Sequence, residues 1–154
     1  MNATINLENK HFPVLLNELI SIISPLYGGT FIDCTFGQGG YSEKILENKQ
    51  NNIIALDRDK DVLSSAVKIQ KKYNKRFKFY NLKFSQLDQI KLKNHKIKGI
   101  IFDLGYSFNQ IKNSQKGLSF SDKGKLNMRM GINDFSANEI ISNMGENNLA
   151  KVFK

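Results

Sequence analysis

A glycine-rich turn and the aspartates near it carry the chemistry that this sequence can be expected to perform. The turn Gly37–Gly40 follows an apolar run that ends at Asp33 and Cys34, and a second apolar run ends at Asp57, about 20 residues further on. Glycines remove the side chains that would keep a ligand away from the backbone, and they permit positive φ where the chain turns sharply. A carboxylate at the end of the neighbouring strand can accept hydrogen bonds from both hydroxyls of a ribose. The pair therefore predicts a site for a ribose-bearing ligand.

The glycine spacing alone leaves the identity of that ligand open. It is Gly-x-Gly-Gly and not the full Gly-x-Gly-x-x-Gly, and dinucleotide enzymes use a similar turn. Asp33 lies beside the turn, and a carboxylate there disfavours a pyrophosphate. It suits a cationic ligand, such as the sulfonium and amino group of S-adenosylmethionine. The plainer interpretation is a tight strand-to-helix turn that binds nothing, and the matching Asp57 argues against it.

Asp103 is the candidate for a catalytic residue. It begins the segment Asp103–Ser107, which follows a fourth apolar run. The exocyclic amine of a base is a weak nucleophile because its lone pair is conjugated with the ring. An acceptor held beside the amine can bind its N–H groups and favour the pyramidal geometry that attacks a methyl group in line. The simpler alternative is a polar strand end that caps the following turn.

Three further residues have a functional and a plainer interpretation. Gln110 could fix a cofactor or a base by paired hydrogen bonds, although a glutamine in a loop is often merely solvated. Phe84 could stack on an adenine face, although taken alone it suits a hydrophobic core better. Arg129 could contact a phosphate, and the alternative is a surface arginine.

Apolar runs that alternate with helical patterns predict an α/β fold with a parallel, doubly wound, Rossmann-like sheet. The aspartates then fall at the carboxyl ends of strands, where such sheets bind ligands. Pro25 is expected to end the first helix, and Ser136 and Glu139 form a capping box. No regular structure is predicted from Gly105 to about Asn133. The predicted helices cover 14–23, 42–47, 60–73, 85–90 and 136–144, with another start at 147, and the predicted strands cover 29–34, 52–57, 77–80 and 97–104.

Composition limits the classes of function. A chain of 154 residues can bury one core, and a formal net charge of +9 favours an anionic partner such as nucleic acid. The charge is supporting evidence only, because lysine, asparagine and isoleucine are all abundant, as AT-rich codons would produce. The single cysteine, Cys34, cannot form an internal disulfide and is expected to be buried.

Other features of the sequence argue against metal and membrane functions. The two histidines lie far apart, so no metal-ligand spacing is present and metal catalysis is not expected. No apolar run is long enough to span a bilayer, and no leader peptide is recognisable. A cytoplasmic protein is therefore predicted.

Six motifs in register resemble those of the MraW/RsmH family of ribosomal small-subunit RNA methyltransferases. That family methylates the exocyclic N4 of a cytosine in the small-subunit RNA and uses S-adenosylmethionine. The resemblance covers nearly the whole chain. The motifs are His11–Glu18, Asp33–Ser42, Ala55–Asp59, Asp103–Ser107 with Gln110, Lys116–Phe120 and Leu126–Met130.

The resemblance implies a set of site residues and a division of the chain. It implies S-adenosylmethionine-binding positions at Gly39, Gly40, Tyr41, Asp57, Phe84, Asp103 and Gln110. Residues 1–105 would form a partial S-adenosylmethionine-binding core, and 106–154 the active-site loop and the start of an inserted helical substrate domain. The remaining strands of the fold would be missing, so the chain is expected to be truncated. A complementing polypeptide or self-association would then cover the open sheet edge.

Several positions depart from the family pattern. The family usually has histidine at Tyr41, a second serine at Phe108, arginine at Lys116, and aspartate at Asn127 and Gly131. These departures put turnover in doubt, whereas the glycine turn, Asp57 and Asp103 favour cofactor binding. The leading hypothesis is therefore an RNA cytosine-N4 methyltransferase or a degenerate copy of one. The alternatives are a non-catalytic RNA-binding or ribosome-assembly protein with the same fold and, more distantly, a nicotinamide dehydrogenase.

Overall fold

The structure is a computed structural model that describes residues 13–23, 27–93, 95–121, 123–132 and 135–154. His11, at the start of the first motif, and Pro25, the predicted end of the first helix, lie outside these residues. The helices are α1 (Leu16–Ile23), α2 (Gly40–Leu46), α3 (Leu63–Tyr73), α4 (Phe108–Lys112), α5 (Ala137–Asn143) and α6 (Glu146–Val152). The strands are β1 (Gly29–Asp33), β2 (Asn51–Leu56), β3 (Phe77–Tyr80) and β4 (Ile97–Ile101).

Within the described residues, the strands form one parallel sheet in the order β3-β2-β1-β4. In this order the chain builds outward from β1 to β3 and then crosses back to place β4 on the other side of β1. The strand order reverses between β1 and β4, and ligands of open α/β sheets bind at such a reversal, beyond the carboxyl ends of the strands. The predicted α/β, Rossmann-like architecture is confirmed.

The two faces of the sheet are covered differently. Alternate residues such as Phe31, Ile53 and Phe77 point to one face and pack with α1, α2 and α3. Ile32, Ile54 and their neighbours on the other face pack under the segment around the short 3-10 helix Phe84–Gln89. The period of two along each strand sends successive side chains to opposite faces. Because the central strands β1 and β2 are buried on both faces, packing fixes the positions of their ends.

The predicted boundaries needed correction at the first helix and the fourth strand. Helix α1 begins at Leu16 and not at Val14, because Leu15 adopts a positive φ of 53°. Strand β4 ends at Ile101 and not at Leu104. Beyond that point the Asp103 N–H donates to the Thr35 hydroxyl at 2.7 Å instead of continuing the strand ladder. Asp103 is thereby tied to the loop after β1.

The prediction of a structureless segment after Gly105 was wrong. Helix α4 and the 3-10 helix Ser114–Lys116 form there. Ser107 caps α4 by accepting a hydrogen bond from the Gln110 N–H at 3.2 Å, and the Gln110 side chain accepts the Ser107 N–H at 2.8 Å. The spacing Ser-x-x-Gln is a capping box, and it was readable in the sequence. The capping box predicted at Ser136 is confirmed and begins α5.

Candidate functional site

A cleft of about 750 Å³ opens at the carboxyl edge of the sheet, where the chain leaves β1, β2 and β4. Its size falls in the range of small-molecule sites, roughly 300–1,000 Å³. Residues predicted to bind a ligand come together there from positions far apart in the sequence. Those that line the cleft are Gly37, Gly40, Tyr41, Asp57, Phe84, Asp103 and Gln110.

The glycines of the turn serve different purposes. Gly37 lines the cleft with a φ of 54°, and its N–H donates to Asp57 Oδ2 at 2.8 Å. Gly40 also lines the cleft, and a Cβ on it would collide with the ring of Pro13. Gly39 has a φ of 83°, and a Cβ there would collide with Ile69. Gly39 therefore faces the core and shapes the turn, and it is not among the residues that line the cleft.

Asp57 is held firmly at the end of β2. One carboxylate oxygen accepts the Gly37 N–H, and the other accepts the Asp59 N–H at 2.8 Å. Burial raises the pKa of Asp57, and these two hydrogen bonds oppose the increase. Each carboxylate oxygen can accept more than one hydrogen bond. Asp57 can thus brace the glycine turn and still accept hydroxyl groups from a ligand.

Asp33 was expected to face a cationic ligand beside the turn, but it does not line the cleft. Its side chain is fully buried and accepts a hydrogen bond from the Ser42 hydroxyl at 2.7 Å. Burial raises the pKa of Asp33 to about 6. Asp33 therefore joins the end of β1 to α2, and the carboxylates that line the cleft are those of Asp57 and Asp103.

Asp103 and Tyr41 form a polar pair on one wall of the cleft. The Tyr41 hydroxyl donates to the Val14 carbonyl at 2.5 Å and lies 3.3 Å from Asp103 Oδ2. Burial raises the pKa of Tyr41 to about 12, and the nearby charge of Asp103 acts in the same direction. The hydroxyl is therefore protonated at neutral pH. The Asp103 side chain remains open to the cleft and can accept hydrogen bonds there.

Phe84 presents an aromatic surface to the cleft. Its side chain is 43% exposed, and its ring packs edge-to-face on Phe102 with centroids 5.6 Å apart. An edge-to-face contact orients the ring and leaves a face free. The exposure favours the stacking interpretation of Phe84 over the core interpretation.

Sequence reasoning missed the partner of Gln110. Its Nε2 donates to Asp59 Oδ2 at 2.6 Å, and Lys116 Nζ lies 2.8 Å from the same oxygen. The Gln110 side chain thus fixes the loop at the same time as it lines the cleft. Asp59 belongs to the motif Ala55–Asp59, so its importance could have been inferred from the sequence. No sequence pattern indicated that Gln110 would be its partner.

The remaining candidates have structural partners. Arg129 pairs with Glu139 at 2.7 Å, so its guanidinium meets a carboxylate and does not line the cleft. Cys34 is buried as predicted, and burial raises the pKa of its thiol to about 11. At Gly131, one of the departures, a Cβ would collide with the Arg58 carbonyl. Glycine is therefore the residue that fits this backbone.

Among the residues that the structure describes, no group of three or more His, Cys, Asp or Glu side chains could hold a metal ion. None of the helices in the same residues is both long and apolar enough to cross a bilayer.

Known proteins with similar sequences cover nearly all of this chain. The profile of the MraW methylase family matches residues 8–154. The ribosomal RNA small subunit methyltransferase H of Rickettsia massiliae (strain Mtu5) is 43% identical over 143 residues, which cover 93% of this chain and 46% of the relative. The protein of the same name from Orientia tsutsugamushi (strain Boryong) is 38% identical over 146 residues, 95% of this chain and 47% of the relative. The chain thus spans about half the length of these curated relatives.

Among solved structures, a putative methyltransferase yhhF from Escherichia coli is similar with a TM-score of 0.43 and 13% identity. That match covers 51% of this chain and 46% of the other.

Proposed function

This chain belongs to the MraW methylase family, and on that premise we propose that its cleft binds S-adenosylmethionine for the methylation of a cytosine N4 amine in small-subunit ribosomal RNA. One observation carries the proposal: Asp57 and Asp103, which follow different strands, line the same cleft at the reversal of strand order. We assign the first to the ribose hydroxyls and the second to the N–H groups of the reacting amine.

The donor and acceptor groups of the cleft fit this cofactor. Asp57 suits the two ribose hydroxyls, and Phe84 offers a flat apolar surface for the adenine. The turn from Gly37 to Tyr41 brings backbone close to the cleft for the methionine part. When bound, the cofactor supplies a methyl group activated by a sulfonium.

Asp103 would act on the amine that receives the methyl group. Its carboxylate accepts hydrogen bonds from the N–H groups of the exocyclic amine and draws the nitrogen lone pair out of conjugation with the ring. The Asp103 N–H bond to the Thr35 hydroxyl holds the residue in place, and the Tyr41 hydroxyl lies 3.3 Å from its carboxylate. No general base is required, because the proton of the methylated amine can leave to water.

The RNA substrate is proposed from the names of the relatives and from the charge of this chain. The curated relatives are named for small-subunit ribosomal RNA, and the formal net charge of +9 suits a polyanion. With ribosomal RNA as its substrate, the protein would act in the cytoplasm. This chain matches about half the length of these relatives, so a completing polypeptide is part of the proposal for turnover.

Two measurements test the proposal. Calorimetry of the chain with S-adenosylmethionine tests the cofactor, and a chain that does not bind it would refute the assignment of the cleft. Transfer of tritium from labelled cofactor to small-subunit RNA tests the reaction.

The alternative functions predict other results. Salt-sensitive RNA binding without methyl transfer would support the non-catalytic RNA-binding alternative. A fluorescence titration with NADH that saturates would favour a dehydrogenase.

A further inference from the structure

The dipeptide Arg58–Asp59, directly after Asp57, contacts several parts of the segment that follows β4. Asp59 is 2% exposed, and its Oδ2 accepts hydrogen bonds from Gln110 Nε2 at 2.6 Å and Lys116 Nζ at 2.8 Å. These partners lie 51 and 57 residues away in the sequence. One buried carboxylate oxygen therefore joins the end of β2 to α4 and to the 3-10 helix that follows it.

Hydrogen bonds to backbone groups hold residues 128–132 of the same segment in place. Arg58 Nε donates to the Met130 carbonyl at 2.6 Å, and the Ile132 N–H donates to the Arg58 carbonyl at 3.2 Å. The Met128 N–H donates to the Lys116 carbonyl at 2.7 Å. Gln110, Met128 and Met130 all line the cleft, whereas Asp59 and Lys116 do not. Residues that line the cleft are thus held in place by Asp59 and Lys116, which do not line it.

Because the Asp59–Lys116 ion pair is buried, it is sensitive to the loss of one partner. The side chain of Lys116 is 12% exposed and that of Asp59 is 3% exposed. Burial alone would raise the pKa of Asp59, but the hydrogen bonds from Lys116 and Gln110 outweigh it and hold the pKa below its ordinary value. Removing one member of a buried pair leaves a charge without compensation. Asp61, 3.0 Å from Lys116 Nζ, is more exposed and is a weaker substitute.

We propose that Asp59 and Lys116 are positioning residues, which act through Gln110 to hold the α4 wall against the cofactor cleft. The inference rests on the proposed function, because the consequence of a loose wall is weaker binding of S-adenosylmethionine. If the wall is in place only about a tenth of the time, the apparent affinity falls about tenfold.

The test compares two lysine substitutions in otherwise identical chains. Lys116→Met removes the buried partner of Asp59, and Lys72→Met removes an exposed lysine that pairs with Glu43 on the outer surface. Calorimetry with S-adenosylmethionine should show about tenfold weaker binding for Lys116→Met and no change for Lys72→Met. Lys116→Arg keeps the cation and should bind within about threefold of the parent chain. Hydrogen exchange should quicken over residues 107–117 in Lys116→Met and stay unchanged in α2.

A second variant covers the outcome in which Lys116→Met does not fold. Asp59→Asn removes the charge and leaves Lys116 with Asp61, and it should weaken cofactor binding in the same direction. If the parent chain binds the cofactor and both variants bind it equally well, the positioning role is overturned and the proposed function stands. Equal weakening by Lys72→Met also overturns it, because the effect would then be one of net charge. A parent chain that does not bind the cofactor overturns the proposed function and this inference with it.

Discussion

The sheet and the segment that follows it are stabilised in different ways. Between Gly29 and Ile101 the strands, with α2 and α3, contain most of the buried hydrophobic side chains. Among the described residues after Ile101, Ser136 alone is buried, and α4, α5 and α6 have no buried residues. The sheet is stabilised by a packed core, whereas the later segment is stabilised by helix caps, ion pairs and hydrogen bonds to backbone groups.

This difference matters because the candidate site draws on both regions. The sheet supplies the glycine turn and Asp57, and the later segment supplies Gln110, Met128 and Met130. Polar contacts on a surface segment open more easily than a packed core does. We therefore expect substitutions in the first region to change stability most, and those in the second to change local order and affinity.

Phe77→Ala gives the largest expected effect on stability. Phe77 is fully buried on β3, and its ring packs 5.6 Å from that of Phe36. Loss of a buried aromatic ring should lower the free energy of unfolding by about 3–5 kcal/mol. Urea denaturation followed by circular dichroism measures this change in the free energy of unfolding. Phe153→Ala, at a side chain that is 74% exposed, is the matched control and should change that energy by less than about 0.5 kcal/mol. Equal losses would contradict the contrast between the two regions.

Asp33→Asn should change how stability depends on pH. The pKa of Asp33 is about 6 in the folded chain, above its ordinary value of 3.8, mainly because of burial. The folded state therefore binds the proton more tightly, and the parent chain loses stability as the pH rises from about 4 to about 6. The Asn variant does not titrate there. Its free energy of unfolding relative to the parent should rise by about 3 kcal/mol between pH 3 and pH 8. Paired urea titrations would contradict this if the difference stayed constant.

Asp57→Ala tests the ligand-binding side of the packed region. The substitution removes the proposed ribose acceptor and also the acceptor for the Gly37 N–H. Affinity for S-adenosylmethionine should fall about 100-fold, or about 2.7 kcal/mol. Asp88→Ala, at an exposed aspartate that does not line the cleft, is the control and should bind as the parent does. An unchanged calorimetric affinity in Asp57→Ala would rule out Asp57 as the ribose carboxylate.

The sequence predicted the packed region better than the segment after it. Strand β3 has the predicted bounds, and β1 and β2 are within one residue of theirs. The central strands β1 and β2 contain short apolar runs, and β3 is rich in the aromatic residues that favour strands. Helix α4 was missed, although Ser107 and Gln110 carry a capping signal. Its short length and exposed residues give no hydrophobic period, so the cap was the only available evidence.

The candidate site shows the same limit. Strand-end residues such as Asp57 and Asp103 could be placed at one edge because a parallel sheet aligns the carboxyl ends of its strands. The burial of Asp33 could not be inferred, because whether a strand-end carboxylate faces the cleft or a helix depends on packing with Ser42. The contact of Asp59 with Lys116 spans 57 residues and leaves no local pattern.

Ser136→Ala gives the smallest expected effect and tests whether the later segment unfolds separately from the sheet. The Ser136 hydroxyl accepts the Glu139 N–H at 3.2 Å and begins α5. Loss of such a cap costs about 1 kcal/mol. Because few buried contacts join α5 to the core, exchange of its backbone N–H groups should quicken about fivefold, while exchange in β1 and β2 stays unchanged. Faster exchange in the strands as well would mean that α5 and the sheet unfold as one cooperative unit, and the contrast between packed and polar regions would then not extend to their stability.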